Sequence, residues 1–166
     1  MPRRHPNVVH PSEVEPNAFP NLGGFRNVHR VLGGPAGGRE LGCTLYEVEA
    51  GYVAWPHHWH TANEEALIVV EGEGVLRLGD AEVEVGPGDY VALPAGPAHA
   101  HQLRATVPMR YYCVSTRRTP EVVSYPDSGK VAVRASIDGS TVLQGIFAEE
   151  AELGYFDREP LAARDG

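Results

Sequence analysis

Lysine is almost missing from this sequence: only Lys130 stands among its 14 basic residues, whereas 22 residues are acidic. Proteins that bind nucleic acids display clustered lysine and arginine side chains, so a formal net charge of -8 without a basic stripe argues against such a partner. Because Lys130 lies in a turn-rich stretch, Schiff-base catalysis has one candidate residue at most.

Long apolar runs are also absent, and cysteines are few. The sequence has no stretch of about 18 apolar residues and no charged segment followed by an apolar one, which predicts a cytoplasmic protein that does not engage a membrane. The two cysteines, Cys43 and Cys113, lie in apolar runs and are predicted to be reduced thiols of the core. At 166 residues the chain is expected to form one domain.

Glycine and proline, by contrast, are frequent, with 19 and 14 residues. Residues 1–25 contain five prolines and little periodicity, which predicts an extended arm rather than a helix. Further on, alternating segments such as Ala81–Val85 predict short strands between turns, over residues 41–50, 52–60, 65–71, 74–78, 81–85, 89–93, 98–104 and 108–116. Many short strands of this kind indicate an all-β sandwich or barrel.

A group of histidine and glutamate residues has the spacing of metal ligands. In a strand over residues 52–60, His58 and His60 would face the same side, and Glu65 at the start of the next strand could reach the same point. His99, behind a turn, is a third candidate histidine. Imidazole and carboxylate ligands suit Fe, Mn, Ni, Cu or Zn better than Ca or Mg, which prefer shells of oxygen atoms.

These residues resemble the first sequence motif of the cupin superfamily. That motif is a glycine, a short spacer, His-x-His, three or four residues, a glutamate, six residues and a second glycine. In this chain it is matched by Gly51, His58, His60, Glu65 and Gly72, with an opening spacer one residue longer than usual.

The second cupin motif follows after a short separation. It is a glycine, five residues, Pro-x-Gly, two residues, a histidine, three residues and an asparagine. Here Gly88, Pro94, Gly96 and His99 match it, while Leu103 stands in place of the asparagine. The departure leaves the ligand positions untouched. Together the two motifs cover the chain from Gly51 to Leu103.

The resemblance implies an all-β fold, namely a cupin-type jelly-roll β-barrel with an N-terminal extended arm and a short C-terminal extension. The corresponding division is an arm over residues 1–30, a barrel core over 31–118 and an extension over 119–166 that packs on the barrel. In many dimeric cupins an N-terminal segment packs on the partner barrel. A homodimer is therefore expected.

Matched residue by residue, the resemblance also implies one divalent transition metal ion held by four ligands: His58, His60, Glu65 and His99. His101 would share a strand face with His99, and it is a candidate base beside the ligands or an alternate ligand. Arg77, Arg104 and Arg110 are candidates for anchoring an anionic substrate, although each also fits a solvent-facing strand position.

Several functions fit such a site. A metalloenzyme would act on a small oxygen-rich or carboxylate-bearing metabolite. Dioxygenase-like oxidation is favoured there, because His101 is the one recognisable acid or base beyond the ligands. Sugar isomerase or lyase chemistry is the enzymatic alternative, since one fold can host many reactions. A barrel that binds a small molecule without turnover, or a storage-like structural dimer, would need no catalytic group.

Overall fold

The computed structural model describes residues 5–154 and residue 157. Residues 1–4 of the expected arm, and residues 155, 156 and 158–166 of the expected extension, lie outside this part. Within it, short 3-10 helices cover Pro11–Glu13, Pro97–His99 and Pro126–Ser128. The strands are β1 (Asn17–Leu22), β2 (Phe25–Val31), β3 (Leu41–Val48), β4 (Trp59–His60), β5 (Glu65–Glu71), β6 (Gly74–Leu78), β7 (Ala81–Val85), β8 (Tyr90–Leu93), β9 (His101–Ala105), β10 (Met109–Thr116), β11 (Glu121–Tyr125), β12 (Lys130–Ile137) and β13 (Ser140–Ala148).

The strands pair into three antiparallel sheets, as expected for an all-β jelly-roll barrel. The largest has the order β1-β2-β3-β10-β5-β8, and the others are β13-β12-β11-β4 and β7-β6-β9. Strand β10 lies between β3 and β5. No helix of the described residues is long and apolar enough to span a lipid bilayer.

The core lies between the largest and the smallest sheet. Leu67 and Met109 of the former are buried in one cluster with Leu76 and Leu103 of the latter. Close approach also explains the last glycine of the first motif: Gly72 has φ +78°, and a Cβ atom there would collide with the Pro108 carbonyl. The fold therefore needs glycine at this turn.

The observed strands agree with the sequence patterns in most of the barrel. Strands β5, β6 and β7 have the predicted bounds. The prediction of a strand over residues 52–60 was wrong except at its end, because only Trp59–His60 pairs as a strand and Pro56 precedes it. The prediction over residues 98–104 was also wrong at its start, since Pro97–His99 form a 3-10 turn and β9 begins at His101.

Part of the N-terminal segment forms a β-hairpin that joins the largest sheet. Strands β1 and β2 form a hairpin through Gly23 and Gly24, whose φ values of +62° and +93° suit a tight reversal, and β2 joins β3. Phe19 packs edge-on against Trp55, with ring centroids 4.9 Å apart. Leu22 on the edge strand is exposed. The homodimer stays a prediction.

The segment after residue 118 closes one side of the barrel. Strand β11 pairs with the short strand β4, with Val123 opposite His60 and Ser124 opposite Trp59. Strands β12 and β13 then form a hairpin. The described part of the extension therefore contributes directly to the surroundings of His60.

Candidate metal site

A cavity of about 190 Å³ lies inside the barrel, and we call it the inner cavity. Its wall is mostly aromatic and aliphatic, with histidine, glutamate and cysteine side chains on one side. The lining residues are Tyr46, Ala54, Trp55, Pro56, His58, His60, Glu65, Leu67, His101, Gln102, Leu103, Tyr111, Cys113, Val123 and Tyr125. As period-two alternation requires, Tyr111 lines the cavity and the adjacent Tyr112 does not.

Three of the four ligands expected from the sequence meet in this wall. His58, His60 and Glu65 each offer one ligand atom, and these atoms all lie within 4.8 Å of one another. His60 comes from β4 and Glu65 from the first position of β5. His58 is held by an isolated bridge, in which its backbone N–H donates to the His101 carbonyl at 3.1 Å and its carbonyl accepts from His101 N–H at 2.8 Å.

His101 lies beside this group of three and also lines the cavity, whereas His99 is not among the lining residues. The Nε2 atom of His101 lies 3.3 Å from Glu65 Oε2, the same oxygen that is 3.4 Å from His60 Nε2. The physical reason is the 3-10 turn at Pro97–His99, which delays the start of β9 until His101. His99 and His101 therefore do not lie on one regular strand face.

Backbone carbonyl groups fix the tautomers of two of these imidazoles. The Nδ1 atom of His58 lies 2.7 Å from the Pro56 carbonyl, and that of His101 lies 3.0 Å from the His99 carbonyl. Each Nδ1–H therefore donates to a carbonyl, so the Nε2 atom of each ring is the one that faces the cluster. Burial, followed by the proximity of His101, lowers the pKa of His58 to about 4, so His58 is neutral near pH 7.

Glu65 is the negative centre of the cluster. Burial alone would raise the pKa of its carboxyl group, but His101 and His60 lower that pKa well below its usual range. The carboxylate is also oriented by the Cys113 thiol, which donates to Oε1 across 3.6 Å. One oxygen thus faces the thiol and the other faces two imidazoles.

A second carboxylate, from β11, lies behind His60. Glu121 is 8% exposed and accepts backbone hydrogen bonds from Thr61 and Ala62, at 3.0 and 3.3 Å, and one from the Asn63 amide. Its Oε1 lies 3.7 Å from His60 Nδ1. Burial lowers the pKa of His60, but Glu65 and then Glu121 outweigh it, so the net shift is upward. Two carboxylates therefore favour positive charge at this imidazole.

The residues present fit a transition metal ion. Both ring nitrogens of His60 are buried and form no hydrogen bond within the described residues, although carboxylate oxygens lie near both. Buried polar atoms are normally satisfied, so an imidazole of this kind suits a position next to a metal ion. Imidazole nitrogens and one carboxylate form a donor set for a divalent transition metal, and a carboxylate behind a ligating histidine commonly orients it.

Comparison with known families agrees with this architecture. Residues 44–115 match the family model of the cupin domain. The chain contains a cupin domain. A 58-residue segment is 31% identical to an uncharacterized protein of Methanocaldococcus jannaschii, and the match spans 35% of this cupin and 46% of that protein. The chain therefore covers about half of that relative's length.

Solved structures resemble the cupin over most of its length. A protein of Acidithiobacillus ferrooxidans assigned as a sugar phosphate isomerase has a TM-score of 0.76 at 23% identity, over 90% of this chain and 96% of that one. A sugar phosphate isomerase of Silicibacter pomeroyi gives 0.73 at 23% identity, over 87% and 94%. The polyketide cyclase RemF from Streptomyces resistomycificus gives 0.57 at 30% identity, over 73% and 84%.

A second, larger cavity adjoins the metal site of this cupin, and we call it the outer cavity. Its volume is about 600 Å³. It shares His60 and Glu65 with the inner cavity, but the rest of its wall is polar. The lining residues are Gly38, Arg39, His60, Asn63, Glu65, Ser115, Thr116, Arg117, Arg118, Thr119, Glu121, Arg134, Ser136, Asp138 and Gly139.

The arginines singled out in the sequence lie elsewhere. Arg77 pairs with Asp127 at 2.8 Å, Arg110 lies 3.5 Å from Glu71, and neither lines either cavity, nor does Arg104. Sequence reasoning also missed Cys113 and Glu121. Period-two alternation from Tyr111 could have placed Cys113 on the inner face, whereas Glu121 carries no local signal because its position depends on the pairing of β11 with β4.

Proposed function

We propose that this cupin is a metal-dependent enzyme that acts on a small, oxygen-rich metabolite. The observation that carries the proposal is the group of imidazole and carboxylate atoms around Glu65 Oε2, in a wall that both cavities share. A small molecule could approach this point from either cavity. A purely structural metal is usually enclosed by protein ligands, whereas a catalytic one keeps a position open.

We further propose His58, His60, Glu65 and His101 as the ligand set, with His101 in place of the His99 expected from the motif. The distance of 3.3 Å between His101 Nε2 and Glu65 Oε2 supports this exchange, as does the hydrogen bond that fixes His101 Nδ1. Glu121 would act as a positioning residue for His60. The metal would polarise a substrate oxygen or hold two of them at once.

The inner cavity supports a redox-neutral reaction of a carbonyl or enol compound. Burial raises the pKa values of Tyr46, Tyr111 and Tyr125, so the three phenols stay protonated and can donate hydrogen bonds to substrate oxygens. Cys113 is likewise held as a neutral thiol by burial and by Glu65. RemF, a polyketide cyclase at 30% identity, supports an oxygen-rich substrate of this class.

Dioxygenase-like oxidation is the second candidate. The donor set itself favours it, since imidazoles with one carboxylate also suit iron, manganese and copper. Oxygen uptake in the presence of catechols and enediols would distinguish the two reactions. Uptake that depends on the metal would favour oxidation, and turnover in anaerobic buffer would favour the redox-neutral reaction.

The experiment that tests the proposal measures metal content by plasma mass spectrometry in the purified protein and three variants. We expect about one transition metal ion per chain in the wild-type protein and a loss of most of it in His58→Ala/His60→Ala and in His101→Ala. His99→Ala is the matched control and should keep the metal, because the hydrogen bond of His101 Nδ1 goes to the backbone carbonyl of His99, which the substitution retains.

Two results would contradict the proposal. If the wild-type protein took up no transition metal even after reconstitution, the metal-dependent function would be rejected and a metal-free ligand-binding barrel would remain. If His99→Ala lost the metal while His101→Ala kept it, the ligand set would be that of the sequence motif.

A further inference from the structure

The outer cavity concentrates positive charge in a protein that is otherwise acidic. Arg39, Arg117, Arg118 and Arg134 line it, although the chain has an excess of eight negative charges. They come from three separate parts of the fold: the turn before β3, the end of β10, and β12. Four cations around one space repel one another, and the three carboxylates that also line it, Glu65, Glu121 and Asp138, balance this charge only in part, so a further anion would be favourable there.

None of these guanidinium groups forms an ion pair with a carboxylate in the part of the chain that the structure describes. By contrast, Arg26, Arg30, Arg77 and Arg110 all have a carboxylate partner there. The carboxylates that line the outer cavity are not ion-pair partners of these arginines in the described residues. Glu121 accepts from Thr61, Ala62 and Asn63, Glu65 faces histidines and Cys113, and Asp138 lies on the rim at the β12–β13 turn.

The backbone of Arg117 and Arg118 is fixed by hydrogen bonds, whereas their guanidinium groups are not ion-paired in the described residues. Asn63 is buried, and its Oδ1 accepts hydrogen bonds from Arg118 N–H at 2.6 Å and from the Thr116 hydroxyl at 3.0 Å. Its Nδ2 donates to the Arg118 carbonyl at 3.2 Å. Arg117 N–H donates to the Glu40 carbonyl at 3.0 Å. A fixed backbone lowers the entropic cost of arranging guanidinium groups around a ligand.

The same residues link this cavity to the metal site. Asn63 also donates to Glu121, which lies behind His60. His60 and Glu65 line both cavities, so a ligand in the outer cavity would lie next to the metal-binding atoms. Guanidinium groups bind oxyanions through paired N–H donors, and several of them suit a dianion with three peripheral oxygens better than a single carboxylate.

We propose that the outer cavity is a subsite for a dianionic oxyanion, such as a phosphate ester group, at the end of the substrate remote from the reacting atoms. The role of this group as part of a substrate rests on the proposed function, whereas binding of the anion does not. The arginines would position the substrate so that its oxygen-rich end reaches His60 and Glu65.

The test is calorimetric titration of inorganic phosphate into chelator-treated protein at low ionic strength, where no metal ion can bind the anion. We expect wild-type protein to bind phosphate and Arg118→Ala/Arg134→Ala to bind it at least about tenfold more weakly, since each change removes charge-assisted hydrogen bonds. Arg104→Ala is the matched control. Arg104 is exposed, lines neither cavity and should leave the dissociation constant within about twofold.

Further variants separate a local defect from misfolding. Arg39→Ala changes a different segment and should also weaken phosphate binding. Arg118→Lys/Arg134→Lys keeps the charge but loses paired donors, and it should bind phosphate more weakly than wild-type protein and more tightly than the alanine pair. Far-UV circular dichroism and melting curves would establish that each variant is folded.

The phosphate titration can be interpreted separately from the test of metal binding. Phosphate binding that persists in His58→Ala/His60→Ala, whether or not the wild-type protein holds metal, would support the subsite independently. Absence of phosphate binding to folded wild-type protein would overturn it, even if the metal is present. An equal loss in Arg104→Ala, or acetate binding as tight as phosphate binding, would also overturn it, since either would show that no dianion-selective site exists.

Discussion

The inner and outer cavities share His60 and Glu65 but are built in different ways. Seven of the 15 residues that line the inner cavity also belong to the core or pack against it, among them Leu67, Leu103 and Tyr111. The outer cavity is lined by exposed arginines, partly from strand ends and turns, as at Arg39 and Arg117. The comparison indicates that residues near the candidate metal site are constrained by folding, whereas those that would recognise a remote group are not.

Substitutions in the two cavity walls are expected to have different consequences. A change in the inner wall alters both the shape of the reaction space and the stability of the fold, because the same side chains serve both. A change in the outer wall alters charge and hydrogen-bond donors at little structural cost. Substrate preference could therefore change through the outer cavity while the metal-binding wall is retained.

A substitution in the wall of the inner cavity should have the largest effect on stability. Leu67 is 4% exposed, lies two residues after Glu65 on β5 and packs in the core cluster. We expect Leu67→Ala to lower the free energy of unfolding by about 2–5 kcal/mol, because it removes buried methyl groups and leaves a void. Urea denaturation of chelator-treated protein would measure the loss.

The neighbouring residue provides the control for Leu67. Ile68 lies on the same strand but faces outward and is 37% exposed, so Ile68→Ala should cost clearly less than Leu67→Ala. Equal losses for the two variants would show that the inner wall is not part of the core that stabilises the barrel.

The contribution of Glu121 to metal binding can be tested by substitution, because Glu121 lies behind His60, which lines both cavities. The Glu121→Gln substitution keeps an oxygen that can accept from Thr61 N–H but removes the negative charge 3.7 Å from His60 Nδ1. We expect the affinity for the metal to fall about 10–100-fold, or about 1.4–2.7 kcal/mol, as for other carboxylates that orient a ligating histidine. Competition with a chromophoric chelator would measure this affinity.

Glu71 provides the matched substitution. Its side chain is exposed and pairs only loosely with Arg110, at 3.5 Å, far from the lining of either cavity. Glu71→Gln should leave metal affinity unchanged. If Glu121→Gln also left it unchanged, Glu121 would serve the loop at Thr61–Asn63 alone and the extension would have no part in metal binding.

Local patterns were sufficient to predict most strands of the barrel, and the family resemblance predicted three residues of the candidate site. The alternation of apolar residues and the glycine turns located β5 to β7, and the motif spacing identified His58, His60 and Glu65. The same patterns left His101 as an alternate ligand and could not decide that His101 lines the inner cavity while His99 does not. This difference depends on Pro97 starting a 3-10 turn instead of continuing a strand, and proline is compatible with both.

The rest of the site was beyond the sequence because it depends on pairing across long separations. Glu121 reaches His60 only because β11 pairs with a two-residue strand some 60 positions earlier in the chain. The four arginines of the outer cavity likewise come from segments that no spacing rule connects. Arg104, in contrast, stood beside the second motif and lines neither cavity.

The smallest effect on the free energy of unfolding is expected for a substitution in the wall of the outer cavity. Arg134 is exposed on β12 and has no ion pair among residues 5–154 and 157. Arg134→Ala should therefore change the free energy of unfolding by no more than about 0.5 kcal/mol, as for other surface substitutions, or raise it slightly by relieving repulsion among the arginines. Urea denaturation in buffer without phosphate would measure this change. A loss as large as that of Leu67→Ala would mean that the outer wall is also part of the framework of the fold, and the contrast between the two cavities would not hold.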